Sequence, residues 1–491
     1  MSYLPNLLLQ SHGESGKAVE RGEGPRPNIL FIMLDTVRAD RLSCYGYERE
    51  TTPFLDSFAR GATLFENAIA QAPWTLPSHA SFFTGTYPSV NDAHGEHMFL
   101  DDSFVTLAEM LRDRGYHTLC FSNNPYLSHF TGLDQGFNVL EEVWMKTFFL
   151  DDPLLVSLAR EVLADRLPDN GARLTNRIIR RWFERNYNAE QPHFLFINYM
   201  DAHYPTRYLP GISERFLRGD LDAGDLEAFR IRNQLDFYPG GGGISEREFE
   251  ILNVLYDGGI RYLDSKIAEI IGFLESKGVL DDALVIIASD HGEEIGDHQE
   301  WGHQFALYDT LIRVPLILRL PGVFPEGLRV PEQVALIDIL PTMLDLLGEE
   351  LEPSNRPELA GQSLLGYLDG EPSERDIASE LARPFLMVRG LSGKYPDVDF
   401  GFLMKRMRSI RTPAEKLIWS SDADHELYRF EEDPGEIENL FPGDADLAGE
   451  LMKKLDRFGL SFRERDTDET GFVMTPGREA EEKLKALGYI R

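Results

Sequence analysis

A threonine, two aspartates and a histidine stand where metal-assisted hydrolysis could use them. Asp35 directly follows one run of apolar residues, and Asp290 and His291 follow another. Carboxylates and imidazole are ligands for a divalent cation, and a cation lowers the pKa of a hydroxyl that it coordinates. Thr75 would supply that hydroxyl. The set predicts one metal ion held by Asp35, Asp290 and His291, with Thr75 as a further ligand and as the nucleophile.

Thr75 lies two residues before Pro77, in a segment that predicts the start of a helix. A helix N-terminus presents free backbone N–H groups and the positive end of the helix dipole, which suits an anion. A lone threonine before a proline is more often a simple N-cap. The nucleophile interpretation therefore depends on the combination of Thr75 with the three metal ligands.

Short apolar runs of the parallel-strand type must position these groups. Residues 28–34 lead into Asp35, residues 194–200 into Asp201 and His203, residues 284–288 into Asp290 and His291, and residues 117–121 into Ser122, Asn123 and Asn124. In an open α/β sheet, ligands bind beyond the carboxyl ends of the strands. Helical patterns alternate with these runs, which predicts βαβ units and a mostly parallel sheet.

The domain organisation follows from changes in pattern along the chain. We predict an N-terminal extension over residues 1–25, a catalytic α/β domain over 26–369 with insertions at about 140–190 and 205–250, and a C-terminal α+β subdomain with a tail over 370–491. Strand-like pieces at 409–411 and 416–419 and a closing helix over 444–458 indicate the subdomain. The two insertions are expected to lie over the site.

Charge and hydropathy exclude several classes of partner. The 491 residues include 49 Lys and Arg against 82 Asp and Glu, a formal net charge of −33. This excess repels a phosphate backbone, so we expect no nucleic-acid partner. No window approaches the ~18 consecutive apolar residues of a membrane span. Residues 1–24 have no basic stretch before their short apolar run, so we expect a cytoplasmic protein.

Several further segments form a specific joint pattern with these residues. They are residues 34–40, 75–85, 200–203, 289–293, 313–317 and 341–345. Over residues 28–440 the chain resembles the sulfatase branch of the alkaline phosphatase superfamily. The resemblance implies an ester hydrolase with an α/β sandwich around a mixed, mostly parallel sheet, and a C-terminal subdomain built on a small antiparallel sheet.

The chain departs from the sulfatase pattern at positions that decide the chemistry. Authentic sulfatases carry Cys or Ser where Thr75 stands, because that side chain is oxidised to formylglycine, and threonine cannot yield that aldehyde. They also carry a second Asp at Thr36, Arg at His79, commonly Asn at His291, and Lys at His303. The resemblance therefore implies an enzyme that acts without formylglycine.

These departures favour a phosphoester over a sulfate ester. A formylglycine hydrate releases sulfate by expelling it from a hemiacetal, a route closed to a threonyl ester, whereas water can open a phosphothreonine by attack on phosphorus. Relatives with an unmodified threonine include phosphodiesterases and phosphonate ester hydrolases. We therefore expect a phosphodiester or phosphonate substrate, borne by a small molecule, a glycan or a lipid headgroup.

The resemblance also suggests roles for nearby histidines. His203 stands where the family places a residue that contacts substrate or protonates the leaving group, and His303 and His79 are candidates for contacting the other oxygens of the anion. Three oxygen ligands and one imidazole suit Mn²⁺, Zn²⁺ or Mg²⁺ better than Ca²⁺. A second ion could use Asp201, His203, His298 and His303, but the Asp-x-His spacing favours a single ion.

Two other functions stay open at this point. One is a non-catalytic binding protein that kept the fold, which retention of Asp35, Thr75, Asp290 and His291 argues against. The other is a true sulfatase that acts without formylglycine. Relative turnover of nitrophenyl phosphodiester, phosphonate and sulfate substrates would distinguish them. The sequence carries no prediction of oligomeric state.

Overall fold

A computed structural model describes residues 26–148, 169–229, 243–348, 359–368, 374–441 and 443–463. Five of the predicted features fall at least partly outside these ranges. The N-terminal extension over 1–25, parts of both insertions (149–168 and 230–242), the predicted boundary at 369–370 and the tail from residue 464 lie outside the described residues.

A central sheet of eight strands organises the larger lobe. In chain order its strands are β1 (Ile29–Leu34), β2 (Thr63–Ile69), β3 (His117–Ser122), β4 (Val139–Glu142), β5 (His193–Tyr199), β6 (Leu284–Ser289), β9 (Arg313–Arg319) and β10 (Arg329–Ala335). A separate small hairpin of β7 (Glu294–Ile295) and β8 (Trp301–Gly302) lies between β6 and β9 in the chain. The order across the sheet is β10-β2-β9-β6-β1-β5-β3-β4. Among these strands, β9 alone is antiparallel to its neighbours, so the predicted mixed, mostly parallel sheet is confirmed.

The described residues also form α-helices in both lobes. In chain order they are α1 (Pro53–Ala59), α2 (Thr75–Thr84), α3 (Pro88–Asn91), α4 (Leu107–Asp113), α5 (Val143–Phe148), α6 (Ala172–Asn186), α7 (Ala223–Ala228), α8 (Glu246–Ser276), α9 (Asp309–Ile312), α10 (Ile339–Leu346), α11 (Phe385–Lys394) and α12 (Ala445–Arg457). None of the helices within the described ranges is long and apolar enough to cross a lipid bilayer.

The alternation of side chains along β1 shows how the sheet is sandwiched. Phe31 and Met33 belong to the apolar core on one face, and Leu30 and Ile32 belong to the core on the other. Successive residues of a strand point to opposite faces, so a strand buried on both faces needs an unbroken apolar run. This is why the sequence shows such runs where the central strands form.

The C-terminal subdomain is built on an antiparallel sheet of β11 (Ile377–Leu381), β12 (Met407–Arg411), β13 (Glu415–Ser420) and β14 (Glu426–Arg429), in that order. The strand-like pieces that the sequence showed lie in β12 and β13, and the predicted closing helix is α12. Leu417 and Leu451 join the same apolar core as one face of the central sheet. The predicted antiparallel subdomain is therefore confirmed, and it packs directly on the larger lobe.

A buried ionic cluster, which we call the interface cluster, joins the two lobes. Asp309 of the larger lobe accepts from Arg411 at 2.9 Å and from Lys416 at 3.0 Å, and Lys416 also lies 2.7 Å from Glu436. Burial by itself would raise the pKa of Asp309, but the charges of Arg411 and Lys416 outweigh burial and hold it well below its usual value. The carboxylate is thus kept ionised by cations from the same chain.

Candidate active site

Four neighbouring strands bring polar groups to one edge of the sheet. The strands β6, β1, β5 and β3 are adjacent in that order and run parallel. Asp35 follows β1, Asp290 and His291 follow β6, and Asn124 lies two residues after β3. Side chains from three of these four strand ends come together, since Asp35 accepts from Asn124 and its Oδ1 is 4.0 Å from His291 Nε2.

Asp35, Asp290 and His291 form what we call the ligand cluster. One ligand atom from each residue lies within 4.8 Å of the others, and all three residues are buried. His291 Nε2 is 3.3 Å from Asp290 Oδ2 and 4.0 Å from Asp35 Oδ1. Among the described residues, this is the group of histidines, cysteines and carboxylates whose spacing could hold a metal ion.

The imidazole of His291 is oriented for coordination. Its Nδ1 donates to the carbonyl of Gly292 at 2.9 Å, which leaves the lone pair of Nε2 directed at the two carboxylates. Burial lowers the pKa of His291 well below its ordinary value, so the ring is neutral. At Gly292 a Cβ atom would lie 1.9 Å from the Thr310 carbonyl oxygen, so only glycine allows this close approach.

The carboxylates of the cluster each have one oxygen satisfied and one left over. Asp290 Oδ1 accepts from the backbone N–H groups of Thr36 and His291, whereas Asp290 Oδ2 and Asp35 Oδ1 are buried without a hydrogen bond. Burial, and then the negative charge of Asp35, raise the pKa of Asp290. Buried oxygens of this kind are costly unless something pairs with them. A divalent cation would do so, and the donor set fits one.

Thr75 is the first residue of α2, and its hydroxyl faces the ligand cluster. Oγ1 lies 3.3 Å from His291 Nε2 and accepts from Asn124 Nδ2 at 3.2 Å. The N-cap position belongs to Trp74, and no side chain caps the helix. The structure thus does not use Thr75 as an N-cap. Its hydroxyl is within reach of the ligands, at a helix start whose first N–H groups have no side-chain acceptor.

Two asparagines that the sequence analysis did not assign to the site hold Asp35 in place. Asn124 Nδ2 donates to Asp35 Oδ2 at 2.7 Å, and Asn198 Nδ2 donates to the same oxygen at 3.1 Å. This leaves Oδ1 as the oxygen that points toward His291. The signal for Asn124 was its place after β3, but Asn198 lies inside β5 and had none.

The rings of two of the predicted histidines pack beside the ligand cluster. The ring centroids of His291 and His303 are 4.5 Å apart, and those of His303 and His203 are 5.3 Å apart. Glu293 accepts from His303 Nδ1 at 3.0 Å and orients it. Burial, followed by the charge of His203, lowers the pKa of His303 to about 3, so this ring is neutral. Glu293 is a further site residue that the sequence analysis did not assign.

His79 lies in different surroundings. Its Nδ1 contacts the Thr75 carbonyl at 2.9 Å and is 3.4 Å from Asp290 Oδ2, while its ring packs against Phe82 and Phe196. Burial lowers the pKa of His79 to about 3. The side chain has no exposed surface. These contacts favour a role in supporting Thr75 and Asp290 over the predicted contact with the anion.

The backbone is strained at Thr36, the residue that follows Asp35. Thr36 has a φ of +61°, a left-handed conformation that is unfavourable for a β-branched side chain. Its N–H donates to Asp290 Oδ1, and Tyr256 Oη donates to its carbonyl at 2.6 Å. Such strain costs about 1–3 kcal/mol and persists where the surroundings impose it. Here it aims a backbone donor at a ligand carboxylate.

His298, which could have joined a second ion site, is engaged elsewhere. Its Nδ1 is 3.1 Å from Glu294 Oε1 and its Nε2 is 3.0 Å from the carbonyl of Gly435 in the C-terminal subdomain. Its ring also stacks on Tyr308. The structure therefore uses His298 between the lobes, and this arrangement favours the single-ion expectation.

Comparisons with known proteins identify the family and the fold. Residues 27–349 match the family model for Sulfatase, and residues 296–459 match the model for N-sulphoglucosamine sulphohydrolase, C-terminal. Arylsulfatase K of Mus musculus is 26% identical over 387 residues, which cover 73% of this chain and 66% of that protein. The uncharacterized sulfatase YidJ of Escherichia coli K12 is 27% identical, with 84% of this chain and 83% of that protein covered. The phosphonate monoester hydrolase of Agrobacterium radiobacter shares the fold, with a TM-score of 0.69, 22% identity, and coverage of 88% of this chain and 95% of that chain.

Proposed function

The chain belongs to the sulfatase family of ester hydrolases, and on that premise we propose that it cleaves a phosphodiester or phosphonate ester with the hydroxyl of Thr75 as nucleophile. The observation that carries the proposal is the position of Thr75 Oγ1, 3.3 Å from His291 Nε2 beside buried carboxylate oxygens that lack a partner. A hydroxyl so placed can share a cation with Asp35 and Asp290.

The identity of the nucleophile favours phosphorus over sulfur. Threonine is a secondary alcohol and cannot be oxidised to the aldehyde through which formylglycine enzymes release sulfate. A phosphorylated threonine can be hydrolysed by water that attacks phosphorus. Thr75 therefore supports a phosphoester or phosphonate substrate on chemical grounds, and the fold is shared with a phosphonate monoester hydrolase.

The chain's own residues would carry out a double displacement. Thr75 Oγ1 loses its proton to solvent and attacks phosphorus, and the bond to the leaving alcohol breaks as His203 supplies that alcohol with a proton. A water molecule then attacks the phosphothreonine, which gives the acid product and restores the hydroxyl. Asn124 holds Thr75 Oγ1 in position, whereas the neutral His303 donates its Nδ1–H to Glu293 and has no N–H left for the anion.

The ligand cluster would hold one divalent cation, which offsets anionic charge and lowers the pKa of a coordinated hydroxyl. Two carboxylates, a hydroxyl and a neutral imidazole favour Mn²⁺, Zn²⁺ or Mg²⁺ over the all-oxygen coordination that suits Ca²⁺. Asp35 is oriented by Asn124 and Asn198, so its free oxygen is fixed before a cation arrives.

A sulfate ester is the second candidate substrate. The curated relatives described above are named sulfatases. In that case Thr75 would act on sulfur without formylglycine. A protein that binds an ester without cleaving it is a weaker alternative, because the ligand cluster and the hydroxyl are assembled together.

The test is a panel of 4-nitrophenyl esters assayed with the purified full chain. Matched phosphodiester, phenylphosphonate and sulfate esters are assayed with Mn²⁺, Zn²⁺, Mg²⁺ or Ca²⁺ for the wild type, Thr75→Ala and Thr75→Ser. Thr75→Ser is the matched control because it keeps the hydroxyl. Thermal unfolding of each variant checks that it is folded.

We expect phosphodiester or phosphonate turnover to exceed sulfate turnover, Thr75→Ala to lose it by at least about 10³-fold, and Thr75→Ser to keep much of it. Acid quench during turnover should leave a mass increase on the peptide that contains Thr75. Undiminished turnover in Thr75→Ala contradicts the nucleophile. Faster sulfate turnover supports the second candidate, and no turnover with any ester or cation supports a binding protein.

A further inference from the structure

An apolar pocket lies between the larger lobe and the C-terminal subdomain. Its walls include Trp74, Met98, Tyr126 and Gln304 from the larger lobe, and Leu386 and Met387 from α11. Three of these residues are close in sequence to residues of the site, because Trp74 precedes Thr75, Tyr126 is two residues after Asn124, and Gln304 follows His303. A group attached to an anion at the site could therefore extend into this pocket.

The walls have the chemistry of a receptor for an apolar group. The rings of Trp74 and Tyr126 meet edge to face with centroids 5.5 Å apart, and thioethers of Met98 and Met387 complete the lining with the side chain of Leu386. Aromatic faces and thioethers bind aryl and alkyl groups by dispersion and by removal of apolar surface from water. Of the described residues that line the pocket, none carries a charge at neutral pH.

The same lining is unfavourable for a highly charged glycan. A carboxylate or a further sulfate placed here would lose its water and find no cation among the described wall residues, which is costly. Arg383, which precedes the wall segment of α11, contacts Glu96 at 3.3 Å, and Arg406 binds Glu96 through two hydrogen bonds of 2.8 Å. These cations are therefore engaged by a carboxylate of the larger lobe.

The pocket is held open by contacts between the lobes. At Gly95 a Cβ atom would lie 2.4 Å from the carbonyl oxygen of Arg383, so the two chain segments approach as closely as glycine allows. On α11, Val388 and Leu391 pack into a small apolar cluster with Phe305, and Met387 packs against the same cluster. Both walls are thus anchored, and a ligand would not have to order them on binding.

We infer that this pocket binds an aryl or branched alkyl group of the substrate, so that the ester acted on is compact and hydrophobic, and not a polyanionic glycan. The inference rests on the proposed function for the position of the anion. It goes beyond that proposal by stating which organic group the anion carries and which residues select it.

The test measures binding, so that it does not depend on turnover. Calorimetry on the Mn²⁺-loaded full chain compares methylphosphonate with phenylphosphonate for the wild type, Met387→Gln and Met404→Gln. Met404 is the matched control, because it is a partly buried methionine of the same subdomain that packs on the neighbouring apolar cluster. Leu386→Asn is a second wall variant, in case Met387→Gln fails to fold.

We expect phenylphosphonate to bind the wild type at least ~10-fold more tightly than methylphosphonate, since a buried aromatic ring contributes more than ~1.4 kcal/mol. Met387→Gln should reduce this ratio at least about fivefold, and Met404→Gln should leave it unchanged. Equal affinities for the two phosphonates in the wild type, or tighter binding of a disulfated disaccharide than of phenylphosphonate, would overturn the inference. If no ester is turned over but phenylphosphonate still binds more tightly than methylphosphonate as expected, the proposed function is refuted and this inference stands.

Discussion

Two buried groups of carboxylates in this molecule differ in the origin of their counter-charge. In the interface cluster, Asp309 is bonded to Arg411 and Lys416 of the same chain. In the ligand cluster, no lysine or arginine of the described ranges pairs with Asp35 or Asp290, and each of these carboxylates has an oxygen with no partner. Both groups are removed from water, and only one of them is neutralised internally.

The difference separates a structural ionic cluster from a binding site. A buried carboxylate with its own cations keeps a low pKa and contributes to lobe docking, as Asp309 does. Two buried carboxylates without cations repel each other. Burial and then the charge of Asp35 therefore raise the pKa of Asp290. The second arrangement is stable only at a cost, which a divalent cation would remove.

The largest expected effect comes from making the same substitution, aspartate to asparagine, once in each cluster. Asp290→Asn should lower kcat/KM by at least about 10³-fold, because it removes a ligand of the cation. In a chelator it should be at least as stable as the wild type, because it also removes a buried charge. Asp309→Asn is the matched control and should show the reverse, with loss of stability and retained activity below its unfolding temperature.

These two variants are compared by ester turnover and by urea unfolding at one temperature. The comparison fails if Asp309→Asn loses activity while it is folded, or if Asp290→Asn retains the activity of the wild type.

Removal of a cation from the interface cluster should cause the next largest change. Lys416→Met leaves Asp309 and Glu436 buried with less compensation, and we expect a loss of about 3–5 kcal/mol in the free energy of unfolding. Lys266→Met removes a cation from the more accessible pair with Glu269 on α8 and should cost less than about 1 kcal/mol. Urea unfolding of both variants measures the difference. A tenfold loss of Mn²⁺ affinity in Lys416→Met would show that the two regions are not independent.

Removal of the metal should destabilise the protein through the ligand cluster alone. A cation at about 100 times its Kd stabilises the folded chain by about 2.7 kcal/mol. We expect the urea midpoint to rise with Mn²⁺ and to fall with EDTA in the wild type, and to change by the same increment in Lys416→Met, because distant sites are additive. Asp290→Asn should not respond. An equal response in Asp290→Asn would exclude the ligand cluster as the binding site.

Substitution of Glu380, a buried carboxylate outside both clusters, should have the smallest effect. It is buried between the lobes and accepts from the backbone N–H of Ser89 at 2.9 Å, and burial raises its pKa to about 7. Because its pKa is raised, Glu380 stabilises the fold at pH values below the ordinary pKa of a glutamate. This contribution is lost as the pH rises through about 7. The free energy of unfolding should thus fall by up to about 1.4 kcal/mol per pH unit between pH ~4.5 and ~7 from this group.

Glu380→Gln should remove that part of the pH dependence, because the amide can still accept from Ser89 and does not titrate. The exposed Glu432→Gln serves as control. Urea unfolding in EDTA at pH 5, 6 and 7 gives the slopes, and an unchanged slope in Glu380→Gln would contradict the assignment.

The sequence was sufficient for the features that depend on local pattern. Asp35, Asp290 and His291 could be predicted because each comes at the end of an apolar run, and parallel strands end at one edge of a sheet. The start of a helix near Thr75 could be predicted from Pro77, and the helix begins at Thr75 itself. The antiparallel subdomain was expected from a family resemblance and not from periodicity.

Other features depend on packing that no local pattern records. The run that forms β9 is as apolar as a parallel strand, so its direction could not be inferred. Asn198 lies within β5 and its side chain is oriented by the sheet. The helix α2 is buried on all sides although half of its residues are polar, which is why the buried environment of His79 could not be anticipated.

The pairing of β1 with β6 places residues 35 and 290 side by side although most of the chain lies between them. During synthesis, Asp35 and Thr75 emerge from the ribosome long before His291 does, and a nascent chain shorter than this has no complete set of ligands. Under the proposed function, the set of ligands around Thr75 is therefore complete only after β6 has been synthesised and has paired with β1 at the centre of the sheet. A chain released before residue 291 would keep the hydroxyl of Thr75 without the ligands that the proposal assigns to its cation.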